Sequence, residues 1–162
     1  VELVDLIGLA AEECARVDAE LDVTAVPEGL EVRGVAKLLR RALRNLLENA
    51  RRYSQGDITV VLQRHDGQAQ LSVLDRGPGV PPALRERIFE PFYRLPGASE
   101  RAGGVGLGLA LVRSIAQRHN GSVRCEDQPD GSGGACFVLR LPLHSPPGTA
   151  APAPQRKGTE AK

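Results

Sequence analysis

A chain of 162 residues, 41% hydrophobic and 25% charged, has the size and balance of one globular domain. Its 21 Lys and Arg against 20 Asp and Glu leave a net charge of +1, which gives no bulk electrostatic support for nucleic-acid binding. Three scattered cysteines, Cys14, Cys125 and Cys136, form neither a zinc-ligand spacing nor a disulfide framework, and no apolar run approaches the roughly 18 residues of a membrane span. Reduced thiols are the expectation, and no signal-peptide pattern opens the chain. Methionine is absent throughout a sequence that starts at Val1, so the expectation is a fragment of a longer protein.

In chain order, 1–19 reads as a short lead-in strand and a helix with Ile7, Ala10, Ala11, Cys14, Ala15 and Val17 inward. Alternation predicts strands over 21–26 and 30–32, separated by Pro27-Glu-Gly29. Residues 36–54 carry the longest helical pattern, ended by Ser54-Gln-Gly56. Strands follow over 57–64 and 68–75, joined by His65-Asp-Gly67, a hairpin signal because Asp-Gly accepts positive φ. Pro81-Pro82 opens a short helix to about Phe89. A glycine-rich helix spans about 106–119, where Asn120-Gly121 can cap it, and strands over 122–126 and 135–141 finish the domain. Beyond Pro142 the Pro/Ala-rich composition predicts a disordered tail, 143–162.

Three stretches carry chemistry. On the helix over 36–54, Leu39, Leu43, Leu46, Leu47 and Ala50 share one arc, whereas Asn45, Asn49 and Arg52 fall within about 60° on another. Arg40, Arg44 and Arg51 lie between the arcs and are expected to stay solvated. Asn is unfavourable inside a helix, so a pair at i and i+4 requires an explanation. Its amide oxygen is a fair ligand for Mg²⁺, and an Arg one turn on can meet phosphates; capping of neighbouring strands is the plainer alternative. Asp75 ends an apolar strand before Gly77 and Gly79, where a carboxylate can accept from the exocyclic amine of adenine. Four glycines, Gly103, Gly104, Gly106 and Gly108, precede an apolar helix, which places unpaired amides and a positive dipole end where a phosphate can sit. Alone, such a run is equally a turn before a core helix. Phe89, Phe92 and Tyr93 gather three of the five aromatics and suggest a hinge or lid anchor, with 95–102 as the lid.

Taken together, Asn45-Leu-Leu-Glu-Asn49-Ala-Arg-Arg52-Tyr53, Asp75-Arg-Gly77-Pro-Gly79, Phe89-Glu-Pro-Phe92-Tyr-Arg94 and Gly104-Val-Gly106-Leu-Gly108-Leu-Ala resemble, in order, the N, G1, F and G2 boxes of bacterial sensor histidine kinases. The resemblance covers about 1–142, the catalytic and ATP-binding domain. It implies the Bergerat fold shared with gyrase, HSP90 and MutL: an α/β sandwich with a mixed sheet of about five strands under three main helices. By the same resemblance Asn49, helped by Asn45, would hold Mg²⁺, and Arg52 and Tyr53 would contact phosphate and sugar. Asp75 would read adenine, Gly77 and Gly79 would shape its pocket, and Val80 and Ile88 are counted with the nucleotide contacts. Arg94 would approach the γ-phosphate, and with Asn45 it is the catalytic candidate. The backbone of Gly104, Val105, Gly106, Leu107, Gly108 and Leu109 would cradle the phosphates.

Two positions depart from the pattern: Gly34 stands where the family often has an Asp N-cap, and Ala135 where it often has Thr. The implied reaction transfers the γ-phosphoryl group of Mg-ATP to a histidine on dimerisation helices absent from this chain, for relay to the receiver domain of a response regulator. The domain would be cytoplasmic, in a membrane-anchored sensor, without touching membrane or nucleic acid itself. None of His65, His119 and His144 has the context of an acceptor. Two alternatives stand beside this: an ATPase of the gyrase type, disfavoured because Asn45 replaces the water-activating Glu, and a nucleotide-binding or anti-sigma-type serine kinase module.

Overall fold

In the computed structural model, which describes residues 1–54, 56–93, 107–131 and 133–144, the chain begins with β1 (Glu2–Asp5), α1 (Leu6–Val17), β2 (Glu20–Asp22) and β3 (Glu31–Gly34). It continues through α2 (Ala36–Tyr53), β4 (Thr59–His65), β5 (Gln68–Leu74), 3-10 turns at Pro82–Leu84 and Arg87–Phe89, α3 (Gly108–Arg118), β6 (Ser122–Asp127) and β7 (Ala135–Pro142). A five-stranded sheet has the order β2-β4-β5-β7-β6, with β2 parallel to β4 and every other pair antiparallel. β1 and β3 form a separate antiparallel ribbon. Such a mixed sheet with helices packed on it is the expected α/β sandwich.

One face of the sheet makes the core. Val60, Leu62, Ala69, Leu71, Val73, Val123, Cys125, Phe137, Leu139 and Leu141 stand at alternate positions of their strands and are buried in the core. The β4–β5 register is fixed by a two-residue turn in which Asp66 (φ 51°) and Gly67 (φ 77°) are both left-handed, with His65 facing Gln68. α2 lies between α1 and α3 and buries Leu39, Ala42, Leu43, Leu46, Leu47 and Ala50. Each buried leucine contributes about 2 kcal/mol, which offsets the entropy of ordering a helix whose first turn lacks a side-chain cap.

Several elements differ from their sequence expectation for local reasons. The strand expected over 21–26 stops at Asp22, because its carboxylate accepts from both the backbone N–H (3.0 Å) and the hydroxyl (2.7 Å) of Thr24 and turns the chain. In place of one helix after Pro81-Pro82 there are two 3-10 turns. α1 buries Leu6, Leu9, Ala10, Glu13 and Cys14, while Ala11 and Ala15 face outward. That is a regular i, i+3, i+4, i+7, i+8 stripe, hidden in the sequence because one inward position is a glutamate.

Glu13 is 1% exposed and draws in side chains expected to stay solvated. Arg44 grips it through Nε (2.8 Å) and a terminal nitrogen (3.0 Å), and Arg40 adds a third bond (3.0 Å). Arg51 donates to the carbonyls of Val17 (2.7 Å) and Gly56 (3.4 Å). The N-cap of α2 is Val35 rather than Gly34, and its N–H donates to Nε2 of His119 (3.1 Å). Nδ1 of the same ring lies 2.8 Å from the Ile115 carbonyl, so the neutral Nδ1–H form satisfies both contacts. The ring fills the space a side chain at Gly34 would need. At the end of α3, Asn120 is left-handed (φ 59°) and the Gly121 N–H donates to Ala116 (2.8 Å), the expected cap. Ordered backbone bonds continue past Pro142, since Leu143 N–H donates to Gly67 (3.2 Å) and His144 N–H to Glu31 (3.1 Å). The rest of the expected tail, 145–162, lies outside the described residues.

Candidate functional site

The site forms where α2, the loop after β5, the start of α3 and the approach to β7 converge. α2 presents Asn45 and Asn49 on its half-buried face, with Arg52 exposed and Tyr53 half-buried at its end. Asn45 Nδ2 donates to the Gly108 carbonyl (3.3 Å), which draws the N-terminus of α3 against the asparagine face. α3 starts from Leu107 without a side-chain cap, and the amides of Gly108 and Leu109 in its first turn have no hydrogen-bond acceptor among the described residues.

Asp75 follows β5 and is 4% exposed. Its Oδ1 accepts from the N–H groups of Gly77 (2.9 Å) and Ala135 (3.1 Å), and no donor among the described residues reaches Oδ2. Burial raises the pKa of the carboxyl above its ordinary value, opposed by those two backbone hydrogen bonds. No cation is paired with it among the described residues. The loop is held closely on both sides. A Cβ at Gly77 would collide with the Tyr53 carbonyl, and Gly79 is left-handed (φ 79°) with the Gly133 carbonyl against its open side. Both glycines therefore sit where the backbone packs too closely for a side chain.

Val80 and Ile88 are both buried in the core, and the Val80 carbonyl accepts from Arg85 Nε (3.0 Å). The aromatic group does not stay together. Phe89 is buried edge-on against Phe137 (centroids 6.2 Å, 79° between planes), Tyr93 lies under the Arg87 guanidinium (5.1 Å), and Phe92 is left-handed (φ 69°) and exposed. Arg94, Gly104, Val105 and Gly106, with the expected lid 95–102, lie outside the described residues.

Residues 34–145 match the family model described as histidine kinase-, DNA gyrase B- and HSP90-like ATPases. The chain belongs to that family. Within it, the relatives are sensor histidine kinases. The kinase domain is 36% identical over 156 residues to the sensor-like histidine kinase SenX3 of Mycolicibacterium smegmatis, covering 91% of this chain and 40% of that protein. It is 40% identical over 141 residues to the sensor histidine kinase CpxA of Escherichia coli, covering 86% of this chain and 30% of the relative. The structure of the mycobacterial sensor histidine kinase MprB superposes with a TM-score of 0.73 at 34% identity, covering 88% of this chain and 97% of that one. The chain thus spans well under half the length of the two curated relatives.

Sequence reasoning passed over several groups in the kinase domain's site. The Ser54 hydroxyl, buried just past α2, accepts from the N–H groups of Arg76 (3.1 Å) and Gly56 (3.3 Å) and ties the Asp75 loop to the helix end. Its signal is its place next to the N box. Ala135, noted for lacking a hydroxyl, still contributes its backbone N–H to Asp75. Gln128 is buried and donates to two backbone carbonyls beside Asp75, and no sequence pattern marks it. The three thiols are buried and pushed up to about 11, 12 and 11 at Cys14, Cys125 and Cys136, so none is poised as a nucleophile.

Proposed function

We propose that the domain binds Mg-ATP with adenine on Asp75 and donates the γ-phosphoryl group to a histidine on dimerisation helices outside this chain, for relay to a response-regulator receiver domain. The observation that carries the adenine reading is the buried carboxylate whose Oδ2 has no donor among the described residues. An acceptor buried without a donor is unfavourable by about 1–3 kcal/mol, and the 6-amino group of adenine supplies the donor. Guanine offers a carbonyl at that position and repels the carboxylate.

The donor set also fits the implied metal. Asn49 has no hydrogen-bond partner among the described residues, and a neutral amide oxygen suits a cation that keeps most of its ligands as water and phosphate. Asn45 donates its nitrogen to Gly108, which leaves its oxygen available as a second ligand. The metal would neutralise phosphate charge, while the amides of Gly108 and Leu109 orient the phosphate chain and Arg52 and Tyr53 meet phosphate and sugar. Arg94 and Gly104 to Gly106 take their roles from their place in the motifs.

Transfer to a protein acceptor is favoured over hydrolysis because Asn45 cannot act as a base toward water. A cytoplasmic placement in a membrane-anchored sensor is the reading that the sensor histidine kinases among its relatives support. Calorimetry with Mg-ATP and Mg-GTP tests the adenine reading: ATP should bind and GTP should bind at least about tenfold more weakly. Equal affinities would remove Asp75 from its role.

A further inference from the structure

Gln128 stands directly after β6, yet its side chain serves β5, two strands away across β7. Its Nε2 donates to the carbonyl of Asp75 (2.6 Å) and to that of Ala135 (3.2 Å). Those two residues already face each other, with Asp75 N–H donating to the Ala135 carbonyl (3.1 Å) and Ala135 N–H donating to Asp75 Oδ1 (3.1 Å). The last regular rung of the β5–β7 ladder is Leu74 opposite Cys136, so one buried amide closes the sheet where the backbone ladder stops.

The path of this side chain is kept open by Gly134. A Cβ there would overlap the Asp75 carbonyl and come within 3.2 Å of Gln128 Nε2. A turn returns the chain to that point, with Gly131 N–H donating to the Gln128 carbonyl (3.0 Å) and Gly131 left-handed (φ 73°). Gln128, Gly134 and Ala135 thus form one unit around the Asp75 peptide.

We infer that Gln128 is a positioning residue for nucleotide selection: by holding the Asp75 carbonyl it fixes the peptide from which the carboxylate projects and aims Oδ2 at the 6-amino group of a purine. The inference rests on the adenine reading proposed above. Its physical basis is geometric. Asp75 has two side-chain torsions, and Oδ1 is bound at both ends of a short arc by Gly77 and Ala135. Those two donors fix Oδ2 only if the backbone of Asp75 keeps its distance from Ala135, a distance that the Asp75 N–H bond to the Ala135 carbonyl and the Gln128 amide span together. Without that amide, the Asp75 carbonyl is a buried acceptor lacking a partner and the peptide rotates toward water.

The test uses the whole 162-residue chain. Affinities for Mg-ATP and for the Mg complex of purine riboside triphosphate, which lacks the 6-amino group, are measured by calorimetry for the wild type and for Gln128→Met. Methionine keeps the volume and removes both hydrogen bonds. The wild type should prefer ATP, and the variant should lose roughly tenfold in ATP affinity while holding purine riboside triphosphate unchanged, so that the preference collapses. Gln128→Asn, one methylene too short to reach both carbonyls, should show the same selective loss, which keeps the result independent of how methionine packs. Equal losses for both nucleotides, or an unchanged preference in both variants, would overturn the inference and leave the adenine reading intact. A wild type that does not prefer ATP would overturn that reading and the inference with it.

Discussion

A carboxylate buried without a cation is unfavourable to ionise, and Asp75 is such a group. Its pKa is raised in the fold, so the native state holds that proton more tightly than the unfolded chain, and stability is lost as pH rises through the raised value. At neutral pH the ionised group therefore works against folding. Asp75→Asn keeps an oxygen for the N–H groups of Gly77 and Ala135 and removes the charge, so we expect the variant to be more stable at pH 7, read as a higher melting temperature. The gap should close on acidification and be gone below the ordinary value of 3.8, where both side chains are neutral. The same variant should lose ATP affinity, because it turns an amide N–H toward the adenine amine. Stability gained together with binding lost would mark Asp75 as retained for a ligand; a variant less stable at pH 7 would show that its charge supports the fold. Asp75 was legible from its place at a strand end before two glycines. Gln128 was not, because a side chain that bonds to backbone far away in sequence leaves no local pattern, and Ser54 was marked only by its place next to the N box.

At the scale of elements, α2 is the member on which the others depend. Glu13 of α1 holds Arg40 and Arg44 on one flank, while His119 and Asn45 tie α2 to α3 on the other. The asparagine face is thereby fixed between two helices rather than resting on its own propensity. The leucine arc and the asparagine arc of α2 were both readable from a period of 3.6, and the β4–β5 hairpin and the end of α3 from their Asp-Gly and Asn-Gly turn residues. The ties were not, since a glutamate on an inward stripe and a histidine past a helix end look like ordinary surface residues. The hydrogen bond from Arg44, with a further one from Arg40, holds the Glu13 carboxyl down at about 2 against the opposing effect of burial. A depressed carboxylate contributes stability that is complete above its unfolded value of 4.5 and disappears as pH falls toward about 2. We expect the wild-type domain to lose about 2 kcal/mol across that window from this group, after allowance for the solvent exposure of both arginines. In Glu13→Gln the loss across the same window should be correspondingly smaller, as read by urea unfolding at a series of pH values. Parallel pH profiles for the two proteins would mean that the arginines stabilise the helices without needing the charge.

For the molecule as a whole, the question is where the phosphoryl group goes. All three histidines are described, and each is badly placed to receive it. His65 closes β4 beside the hairpin, both ring nitrogens of His119 are engaged, and His144 lies beyond β7 against β3. A donor that positions phosphate through helix amides and a metal does not need its acceptor on the same chain, because phosphoryl transfer depends chiefly on alignment and charge stabilisation. Incubated alone with γ-labelled Mg-ATP, the domain should therefore bind nucleotide and incorporate no stable label. Supplying the dimerisation segment of its own full-length protein on a separate chain should produce label that is acid-labile and alkali-stable, the behaviour of phosphohistidine. Asn49→Ala should abolish that labelling through loss of Mg-dependent binding with little change in melting temperature, since the asparagine arc is turned away from the leucines that build the core. Acid-stable label on the domain itself would instead identify a hydroxyl acceptor and the serine-kinase reading. Brisk release of phosphate without any acceptor would place the domain with the hydrolysing members of its family, and would require some group other than Asn45 to activate water.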